Sequence, residues 1–414
     1  MTRAEPETNS SYDIIIVGGG MVGISLALLL EAQHDWNILL VEAQEIGNPV
    51  DGAYSPSFDA RSTALSWSSR EIYQSMGLWP QLEPHVSNIA QIHVSDRGHM
   101  GLTRIDAQET DVDALGYVVE NHRLGAALLA QLQQTQIELR GSTTVAGVKA
   151  LASGMQLTFA DGQTVHGSLL VVADGAGSST AEKLGIHSDS TAYNQSGIIA
   201  NISLAQPHNA VAYERFTEHG PLALLPLTNF QGRPRSALVW TQPQDQVEEL
   251  MTADDETFLA RLQEQFGYRL GRFEAVGERI SYPLALTRST EQVRRHLVVM
   301  GNAAHSLHPV AGQGFNLSLR DAATLSEVLA KALTESPGAI GDLATLQQYY
   351  EKQSADQRNT VLFSDSLPKV FGLSSSLAAA GRNSGLLAMD LIPALRGRFA
   401  RFGMGLAASE ASSG

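Results

Sequence analysis

The chain has 414 residues, of which 43% are hydrophobic and 17% are charged, a composition that supports a large core and excludes a disordered chain. At about 150 residues per domain, this length predicts two or three domains. The 43 acidic and 28 basic residues give a net charge of −15, which repels phosphate backbones and argues against a nucleic-acid partner. The chain contains no cysteine, which excludes disulfides, thiolate metal sites and cysteine nucleophiles. Redox chemistry would therefore need a bound cofactor.

The first predicted elements form a β-α-β unit. Strands are expected at 12–17 and 37–42, with a helix at 21–31 between them, an order that indicates a parallel sheet. The apolar run 14–30 is interrupted by glycines and lacks the flanks of a signal peptide. We therefore expect a cytoplasmic protein that is soluble or peripheral to a membrane.

The rest of the chain first alternates between helices and strands and then changes pattern. Further helices are predicted at 61–76, 121–134, 254–266, 316–333, 344–362 and 364–401. Further strands are predicted in a hairpin at 89–105 and at 138–149, 155–160, 169–173, 198–204, 211–216, 223–226, 236–241 and 297–300. Between about 186 and 282 the strands follow one another with one helix among them, which is typical of an inserted antiparallel sheet.

This pattern predicts an α/β protein with three parts. A Rossmann-like domain with a parallel sheet is expected in the segments 11–80, 106–185 and 283–335. An antiparallel-sheet substrate domain is expected from a hairpin at 81–105 and an insertion at 186–282, followed by C-terminal helices at 336–414.

The loop after the first strand fits the pattern G-x-G-x-x-G at Gly18, Gly20 and Gly23. In this pattern the glycines make a tight turn, admit a pyrophosphate and let the helix pack closely on the strand. The free N–H groups and the dipole of the helix favour an anion at its N-terminus. Glu42 follows Gly23 by 19 residues, where an acid binds a ribose diol and disfavours a 2′-phosphate. The loop predicts FAD or NAD, and a glycine-rich turn without a ligand is the alternative.

A second glycine-rich loop at 298–316 ends in Gly312-Gln313-Gly314 before a helix. It predicts another helix N-terminus that faces an anion. If a flavin lies there, the N–H groups would face its N1–C2=O edge, and the glycines would let the ring approach the backbone. His305 and His308 lie in this loop, where each could be an ordinary loop residue. Two histidines without a third ligand argue against a metal site, so no metal is predicted.

Three motifs lie far apart in the sequence, at 18–23 with Glu42, at 173–178 and at 301–321. In these motifs the chain resembles the aromatic-ring flavoprotein monooxygenases, which include para-hydroxybenzoate hydroxylase. The resemblance implies that Asp174 and Gly175 lie near the FAD pyrophosphate and the nicotinamide cofactor. It also implies that the third motif lines the ribityl chain and the isoalloxazine through Asn302, Pro309, Gly312, Gln313, Gly314 and Asn316. This chain has Asn302 where the family has aspartate, and Ala181 stands near the place of an arginine that often closes the second motif.

Segments 58–61, 93–99, 117–121 and 214–223 resemble the ubiquinone-biosynthesis branch of this family. The segment 93–99 is similar to the hydroxylases of 2-polyprenyl-6-methoxyphenol, which implies hydroxylation of a polyprenylated phenol. In this branch Arg61 and Asn121 would lie near the flavin. An ion pair between Asp59 and Arg61 and an N-cap role for Asn121 are the alternatives.

The resemblance implies that NADH or NADPH reduces FAD, and that O2 then forms a C4a-hydroperoxyflavin whose distal oxygen enters the ring. His308 or His305 could assist ionisation of the phenol, since imidazole titrates near neutral pH. We assign Pro309 to the catalytic residues with them. Strands at 221–226 and 281–286 are expected to roof the site.

The C-terminal segment 367–401 combines apolar residues with arginines at 382, 396, 398 and 401. This pattern suits a helix that contacts a membrane surface or a partner, and packing of an ordinary terminal helix is the alternative. A complex of ubiquinone-biosynthesis proteins is a further expected partner.

Other functions remain open at the level of the sequence. They are hydroxylation at another ring position or of a soluble phenol, an FAD reductase, a halogenase, and a binding protein without activity. The W-x-W-x-I-P signature expected of a halogenase is absent from the sequence. A binding protein would not need the glycine loop at 312–316.

Overall fold

The structure is a computed structural model that describes residues 10–47, 61–99, 101–110, 112–308, 312–336, 339–372 and 390–406, with the single positions 385 and 388. Asp59, Pro309 and Arg382 lie outside the described residues. The predictions for these three positions therefore remain predictions.

The described residues form the following elements. The strands are β1 (Ser10–Val17), β2 (Ile38–Val41), β3 (Ser62–Ser66), β4 (Val86–Ile89), β5 (Gln91–Asp96), β6 (Leu102–Asp106), β7 (Gly116–Glu120), β8 (Glu138–Arg140), β9 (Val145–Leu151), β10 (Gly154–Phe159), β11 (Thr164–Val172), β12 (Ser188–Leu204), β13 (Val211–Thr217), β14 (Gly220–Phe230), β15 (Arg233–Pro243), β16 (Phe273–Val276), β17 (Ile280–Ser289), β18 (Val293–Arg294), β19 (Leu297–Val299) and β20 (His305–Ser306). The helices are α1 (Met21–Glu31), α2 (Trp67–Ser75), α3 (Trp79–Leu82), α4 (Asn121–Leu132), α5 (Ser179–Lys183), α6 (Gln244–Thr252), α7 (Asp255–Phe266), α8 (Gln313–Glu335), α9 (Leu343–Gly372) and α10 (Pro393–Gly403).

A base sheet has the strand order β18-β19-β11-β1-β2-β8, and β1 pairs in parallel with both β11 and β2. Ile14 and Ile16 of β1 share a buried cluster with residues of α1 and α8, whereas Ile15 packs with residues of β9 and β10 on the other face. Such a run, buried on both faces, is typical of a central parallel strand. The predicted α/β class and first β-α-β unit are confirmed.

Parallel strands bring the loops that follow them to one edge of the sheet. In the register of the base sheet, Val17 lies opposite both Val41 and Val172. The loops that begin at Gly18, Glu42 and Ala173 therefore meet at the same edge. This edge is where an open α/β sheet binds its ligand.

The second sheet, which we call the roof sheet, has the order β20-β17-β12-β15-β14-β13-β5-β6, with β16 beside β12. Its pairs are antiparallel except for β13 with β5. Helices α6 and α7 pack on it around Trp240 and Phe258. The predicted antiparallel sheet is confirmed, and β17 and β20 extend it past the predicted limit at residue 282. The domain limits themselves remain a proposal.

The helix predicted at 61–76 is wrong over its first part. Residues 62–66 form β3, which pairs with β7, and α2 begins only at Trp67. Ser66 is extended and its hydroxyl accepts a hydrogen bond from the Ser69 N–H, so it ends the strand and caps the helix. The strand predicted at 138–149 is likewise two strands, β8 and β9, and α6 was not predicted.

The helical stretch predicted at 364–401 is confirmed in part, because α9 continues to Gly372 and α10 covers Pro393–Gly403. Among the helices of the described ranges, none combines the length and the apolar composition of a membrane span.

Candidate active site

A cavity of about 1360 Å³ lies where the base sheet, the roof sheet and the start of α8 meet. The lining includes the loop after β1, Glu42, the loop after β11 and residues 312–316. Residues 61–66 and residues of the roof sheet, α9 and α10 also line it. The predicted cofactor residues Gly18, Gly20, Glu42, Arg61, Asn121, Asp174, Gly175, Asn302, Gly312, Gln313, Gly314 and Asn316 all line this one cavity.

The first glycine loop is too tightly packed for side chains. Gly18 has φ +116°, and a Cβ there would lie 2.3 Å from the Ala173 carbonyl oxygen. A Cβ at Gly23 would lie 1.9 Å from the Gly18 carbonyl oxygen, so Gly23 acts behind the cavity wall by letting α1 pack on the loop. Gly20 is the N-cap of α1, and within the described part of the chain no side chain caps this helix. The first N–H groups of α1 are therefore left for a ligand.

Two backbone N–H groups hold the Glu42 carboxylate beside this loop. One of its oxygens accepts a hydrogen bond from the Gly19 N–H at 2.7 Å, and the other accepts one from the Gln44 N–H at 2.9 Å. Each oxygen has a second lone pair, which leaves it able to accept a ribose hydroxyl.

Asp174 carries a buried acceptor that the described residues do not satisfy. Its Oδ2 accepts a long hydrogen bond, 3.3 Å, from the Thr180 N–H, whereas its buried Oδ1 has no hydrogen-bond partner among the described residues. An unsatisfied buried oxygen is costly. The neighbouring Gly175, at φ +92°, leaves open space where a Cβ would stand. Both features fit a bound polar group.

The start of α8 presents bare backbone to the cavity. Gly312 is left-handed, with φ +61°, and a Cβ there would lie 3.0 Å from the Ala64 Cβ. Among the residues that the structure describes, no side chain caps α8 and none lies within 4 Å of the place of a Cβ at Gly314. Gln313 is buried, and its amide donates a 3.4 Å hydrogen bond to the Gly403 carbonyl of α10. A flat ring could therefore lie against this turn.

Asn316 holds the loop in place rather than offering its side chain to a ligand. Its Oδ1 accepts hydrogen bonds from the Ser66 N–H and the Ser69 hydroxyl, at 2.8 and 2.7 Å. Its Nδ2 donates to the carbonyls of Ala64 and Gly312, both at 2.8 Å. These four bonds use the full capacity of the amide. We therefore interpret Asn316 as a positioning residue, which departs from the contact that the family resemblance implies.

Arg61 and Asn121 lie together on the cavity wall. The Asn121 N–H donates to the Arg61 carbonyl at 2.7 Å, and the Asn121 Oδ1 accepts from the Thr63 hydroxyl at 2.7 Å. The N-cap of α4 is Glu120, so the N-cap alternative for Asn121 is wrong. Asn302 lies in a short 3-10 turn and is exposed to the cavity.

The two histidines of the second glycine-rich loop have different surroundings. His305 is not among the described residues that line the cavity. Its Nε2 lies 2.6 Å from the Asp321 Oδ2, and both side chains are buried. Because a carboxylate accepts only, the ring donates this bond. The catalytic role predicted for His305 is therefore replaced by a structural one, since its ring is turned to Asp321.

His308 does line the cavity, and its ring is 1% exposed. It meets Tyr193 edge-on at 5.2 Å, and the Tyr193 hydroxyl donates to Asp365 at 2.9 Å. Neither ring nitrogen has a hydrogen-bond partner among the described residues. Burial lowers the pKa of His308 to about 4, so the ring is neutral at pH 7 and the expected titration near neutral pH is wrong.

The comparisons with known proteins agree with this geometry. The sequence profile of the FAD binding domain family matches residues 11–363. The chain belongs to that family. Ubiquinone hydroxylase UbiL of Rhodospirillum rubrum is 34% identical over 95% of this chain and 89% of its own length. The 3-demethoxyubiquinol 3-hydroxylase of Escherichia coli K12 is 28% identical over 96% of this chain and 100% of its own length.

The fold of the flavoprotein is shared with a solved monooxygenase. The crystal structure of p-nitrophenol 4-monooxygenase PnpA from Pseudomonas putida DLL-E4 aligns with a TM-score of 0.74 and 16% identity, covering 96% of this chain and 98% of that one. The predicted resemblance is confirmed: the protein is an FAD-dependent monooxygenase, an oxidoreductase that uses FAD with NAD(P)H and O2.

FAD fits the residues of the cavity. The pyrophosphate suits the N-terminus of α1, the ribose suits Glu42, and the isoalloxazine suits the bare turn at 312–314. Bound FAD supplies electron transfer and oxygen activation. The start of α8 would orient the ring, and the apolar residues of the roof sheet that line the cavity would limit water at the reacting atoms.

Proposed function

We propose that this monooxygenase hydroxylates the ring of a polyprenylated phenol in ubiquinone biosynthesis, with 2-polyprenyl-6-methoxyphenol as its substrate. The observation that carries the proposal is the apolar part of the cavity wall that α9 and α10 contribute, which we call the apolar extension. It is formed by Phe363, Leu367 and Val370 of α9 and by Phe399 of α10. A soluble phenol needs no such extension, whereas a prenyl tail needs an apolar path.

The names of the relatives support a substrate of this class. The Rhodospirillum rubrum relative is called a ubiquinone hydroxylase, and the Escherichia coli relative a 3-demethoxyubiquinol 3-hydroxylase. The second name favours the alternative that this chain hydroxylates another ring position of the same pathway.

The residues have distinct roles in this proposal. Gly18, Gly20, Glu42 and Asp174 hold the nucleotide half of FAD, with Gly175 giving it room. Arg61, Asn121, Asn302 and the 312–314 turn surround the flavin half. His308, which is neutral, provides hydrogen bonding to the substrate rather than a charge.

The test is aerobic NAD(P)H oxidation by the FAD-loaded protein with 2-prenyl-6-methoxyphenol and, separately, with a demethoxyubiquinol bearing a short tail. We expect the first to stimulate oxidation and to yield a hydroxylated ring, whose position mass spectrometry and NMR then assign. Turnover with the demethoxyubiquinol alone would support the other ring position. Flavin reduction without a hydroxylated product from either compound would overturn the proposal.

We also propose that the enzyme contacts a membrane surface from the cytoplasm at the mouth of this extension. Leu391 and Ile392 directly precede α10 and are 76% and 46% exposed. Leu395, which is 43% exposed, and Arg398 lie on that helix. An apolar patch with basic residues suits an interface. Co-sedimentation with anionic phospholipid vesicles should fall for Leu391→Asp and not for Leu343→Asp on α9, whose leucine is 40% exposed. Equal binding of both variants would contradict it.

A further inference from the structure

One carboxyl group lies on the inner face of the roof sheet, at Glu214 in β13. In the strand register Glu214 lies opposite Val94 of β5 and Ala223 of β14. Ala223 lies opposite Val239, and Val239 opposite Ile199. All five residues of this row line the cavity. Glu214 is therefore the one polar member of a row that crosses five strands.

The surroundings of this row are apolar as well. Ala212 and Phe216 precede and follow Glu214 on the same face of β13, since side chains alternate along a strand. Both line the cavity, and Phe216 packs with Val94, Ile92 and Leu367. A glutamate on a surface strand would face water, but Glu214 lies in an apolar part of the cavity wall.

The carboxyl group of Glu214 has no partner among the residues that the structure describes. Among the described residues, none forms a hydrogen bond or an ion pair with it, and no charged group shifts its pKa. Burial alone raises the pKa of Glu214 to about 7. Burying an unpaired carboxyl is unfavourable, and in a cleft such a group indicates a functional site.

We propose that Glu214 is a catalytic residue that accepts the hydrogen bond of the substrate's phenolic hydroxyl and takes its proton during hydroxylation. The inference rests on the proposed function and specifies how that site recognises a phenol. It assigns the polar end of the substrate to β13 and leaves the apolar extension near Leu367 for the tail.

The proton transfer balances within the substrate and this carboxyl. As the ring carbon ortho or para to the hydroxyl gains its oxygen, the phenolic O–H bond breaks and an O–H bond forms on Glu214. The electron pair of the broken O–H bond becomes the second bond of a C=O group, and a ring pair forms the new C–O bond, so the ring becomes a dienone. The O–O bond of the activated oxygen breaks at the same time, and the oxygen that leaves with its electron pair later takes the proton that the attacked carbon releases to water. When the attacked carbon loses its hydrogen as a proton to water, the ring becomes aromatic again and Glu214 returns its proton to the phenolic oxygen. O2 and NAD(P)H are the oxidant and reductant of the established activity.

Other titratable groups around the chamber do not duplicate this role. Tyr282 of β17 lines the cavity with its pKa raised to about 12 by burial. His308 has its pKa lowered to about 4, and Asp365 of α9 is bonded to Tyr193. Of Glu214, Tyr282 and His308, only Glu214 has a pKa near 7.

The experiment compares the FAD-loaded wild type with Glu214→Gln, which keeps the volume and removes the base. The matched control is Glu274→Gln, an exposed glutamate on β16. We expect Glu214→Gln to lower kcat/KM for the phenol by about 10²- to 10⁴-fold, as for loss of a general base. The wild-type kcat/KM should rise with pH through about 7, and this rise should be lost in Glu214→Gln only. An unchanged kcat/KM and pH profile would overturn the assignment.

A binding measurement decides the question without turnover. The phenol and its O-methyl ether are titrated into the oxidised holoenzyme, with the change in flavin absorption as the signal. The wild type should prefer the phenol, because the ether cannot donate to Glu214, and the preference should shrink in Glu214→Leu. Equal affinities in the wild type would overturn the assignment. FAD content and Tm report whether each variant is folded.

The two proposals fail differently. A wild type that binds the phenol in preference to its ether but does not hydroxylate it would contradict the proposed function and leave the assignment of Glu214 as binding group supported. A wild type that hydroxylates the phenol, with a Glu214→Gln variant of equal activity, would contradict only the assignment of Glu214.

If Glu214→Gln does not retain FAD, the carboxylic-acid C=O band in wild-type infrared spectra is followed with pH. Titration of this band near pH 7 supports the assignment, and its absence overturns it.

Discussion

The Nε2 atom of His305 lies 2.6 Å from the Oδ2 atom of Asp321, and neither side chain is more than 3% exposed. The Gln357 amide donates to the other Asp321 oxygen at 3.1 Å. These contacts tie β20 and α9 to α8, the helix whose first turn lines the cofactor cavity. The His305–Asp321 pair therefore fixes the position of α8.

We predict that Asp321→Asn lowers the free energy of unfolding by about 1–3 kcal/mol, because it removes the carboxylate that accepts a buried hydrogen bond from His305. The measurement is urea denaturation of the FAD-free protein, with FAD affinity measured in parallel. The control is Glu335→Gln on the same helix, whose pair with Lys331 is exposed and 3.7 Å long and should matter little. Similar stabilities for the two variants would show that the buried pair contributes no more than the exposed one.

The second prediction concerns the close contact between Gly23 and Gly18. A Cβ at position 23 would lie 1.9 Å from a backbone oxygen, and backbone atoms have little room to move. Gly23→Ala should therefore cost about 3 kcal/mol or more, at the upper end of overpacking effects, and most of the bound FAD should be lost. Gly147→Ala, where a Cβ would stand 3.9 Å from the Thr158 Cβ, should keep both Tm and flavin absorption. Full flavin content in Gly23→Ala would refute the role of this contact.

The third prediction concerns the link between the roof sheet and the strand that leads to Asn121. Arg235 of β15 donates two hydrogen bonds to the Glu120 carboxylate of β7, at 3.1 and 2.9 Å, and both side chains are about one-seventh exposed, at 13% and 14%. Arg235→Lys keeps the charge but not the two-pronged geometry. We expect a loss of about 1–2 kcal/mol in urea denaturation, within the range for hydrogen bonds to charged groups. Arg261→Lys, in an exposed pair with Glu249, should leave stability unchanged, and equal effects would contradict the prediction.

Local patterns were enough to predict the elements and motifs that depend on neighbouring residues. The strand before Gly18, the helix after it and Glu42 at the end of the next strand follow from spacing alone. Residues 62–66 form a strand only by pairing with β7, which lies far along the chain. The helix predicted there was wrong because the local sequence does not show this partner. A pairing of that kind leaves no local signal, so tertiary contacts override the local preference.

The candidate site shows the same division. The sequence placed Asn316 and His305 in a cofactor motif, but their bonds to Ser66, Ser69 and Asp321 depend on folding of distant segments. In the sequence, Glu214 is marked only as the first residue of the segment 214–223, which resembles the ubiquinone-biosynthesis branch. The alternation of Ala212, Glu214 and Phe216 places an acid on an apolar strand face, a local signal that could have identified it.

The last prediction follows from the burial of His308. Its pKa is lowered to about 4 in the folded state and is about 6.5 when unfolded, so between these values the unfolded state binds more protons. Stability therefore falls as pH drops from about 6.5 toward 4, and this residue should contribute about 2 kcal/mol of that loss between pH 7 and 5. His308→Asn should reduce the loss in urea denaturation at the two pH values, whereas His187→Asn, which replaces an exposed loop histidine, should not. If the rate of phenol hydroxylation and its pH profile are also unchanged in His308→Asn, a catalytic role for this ring is refuted.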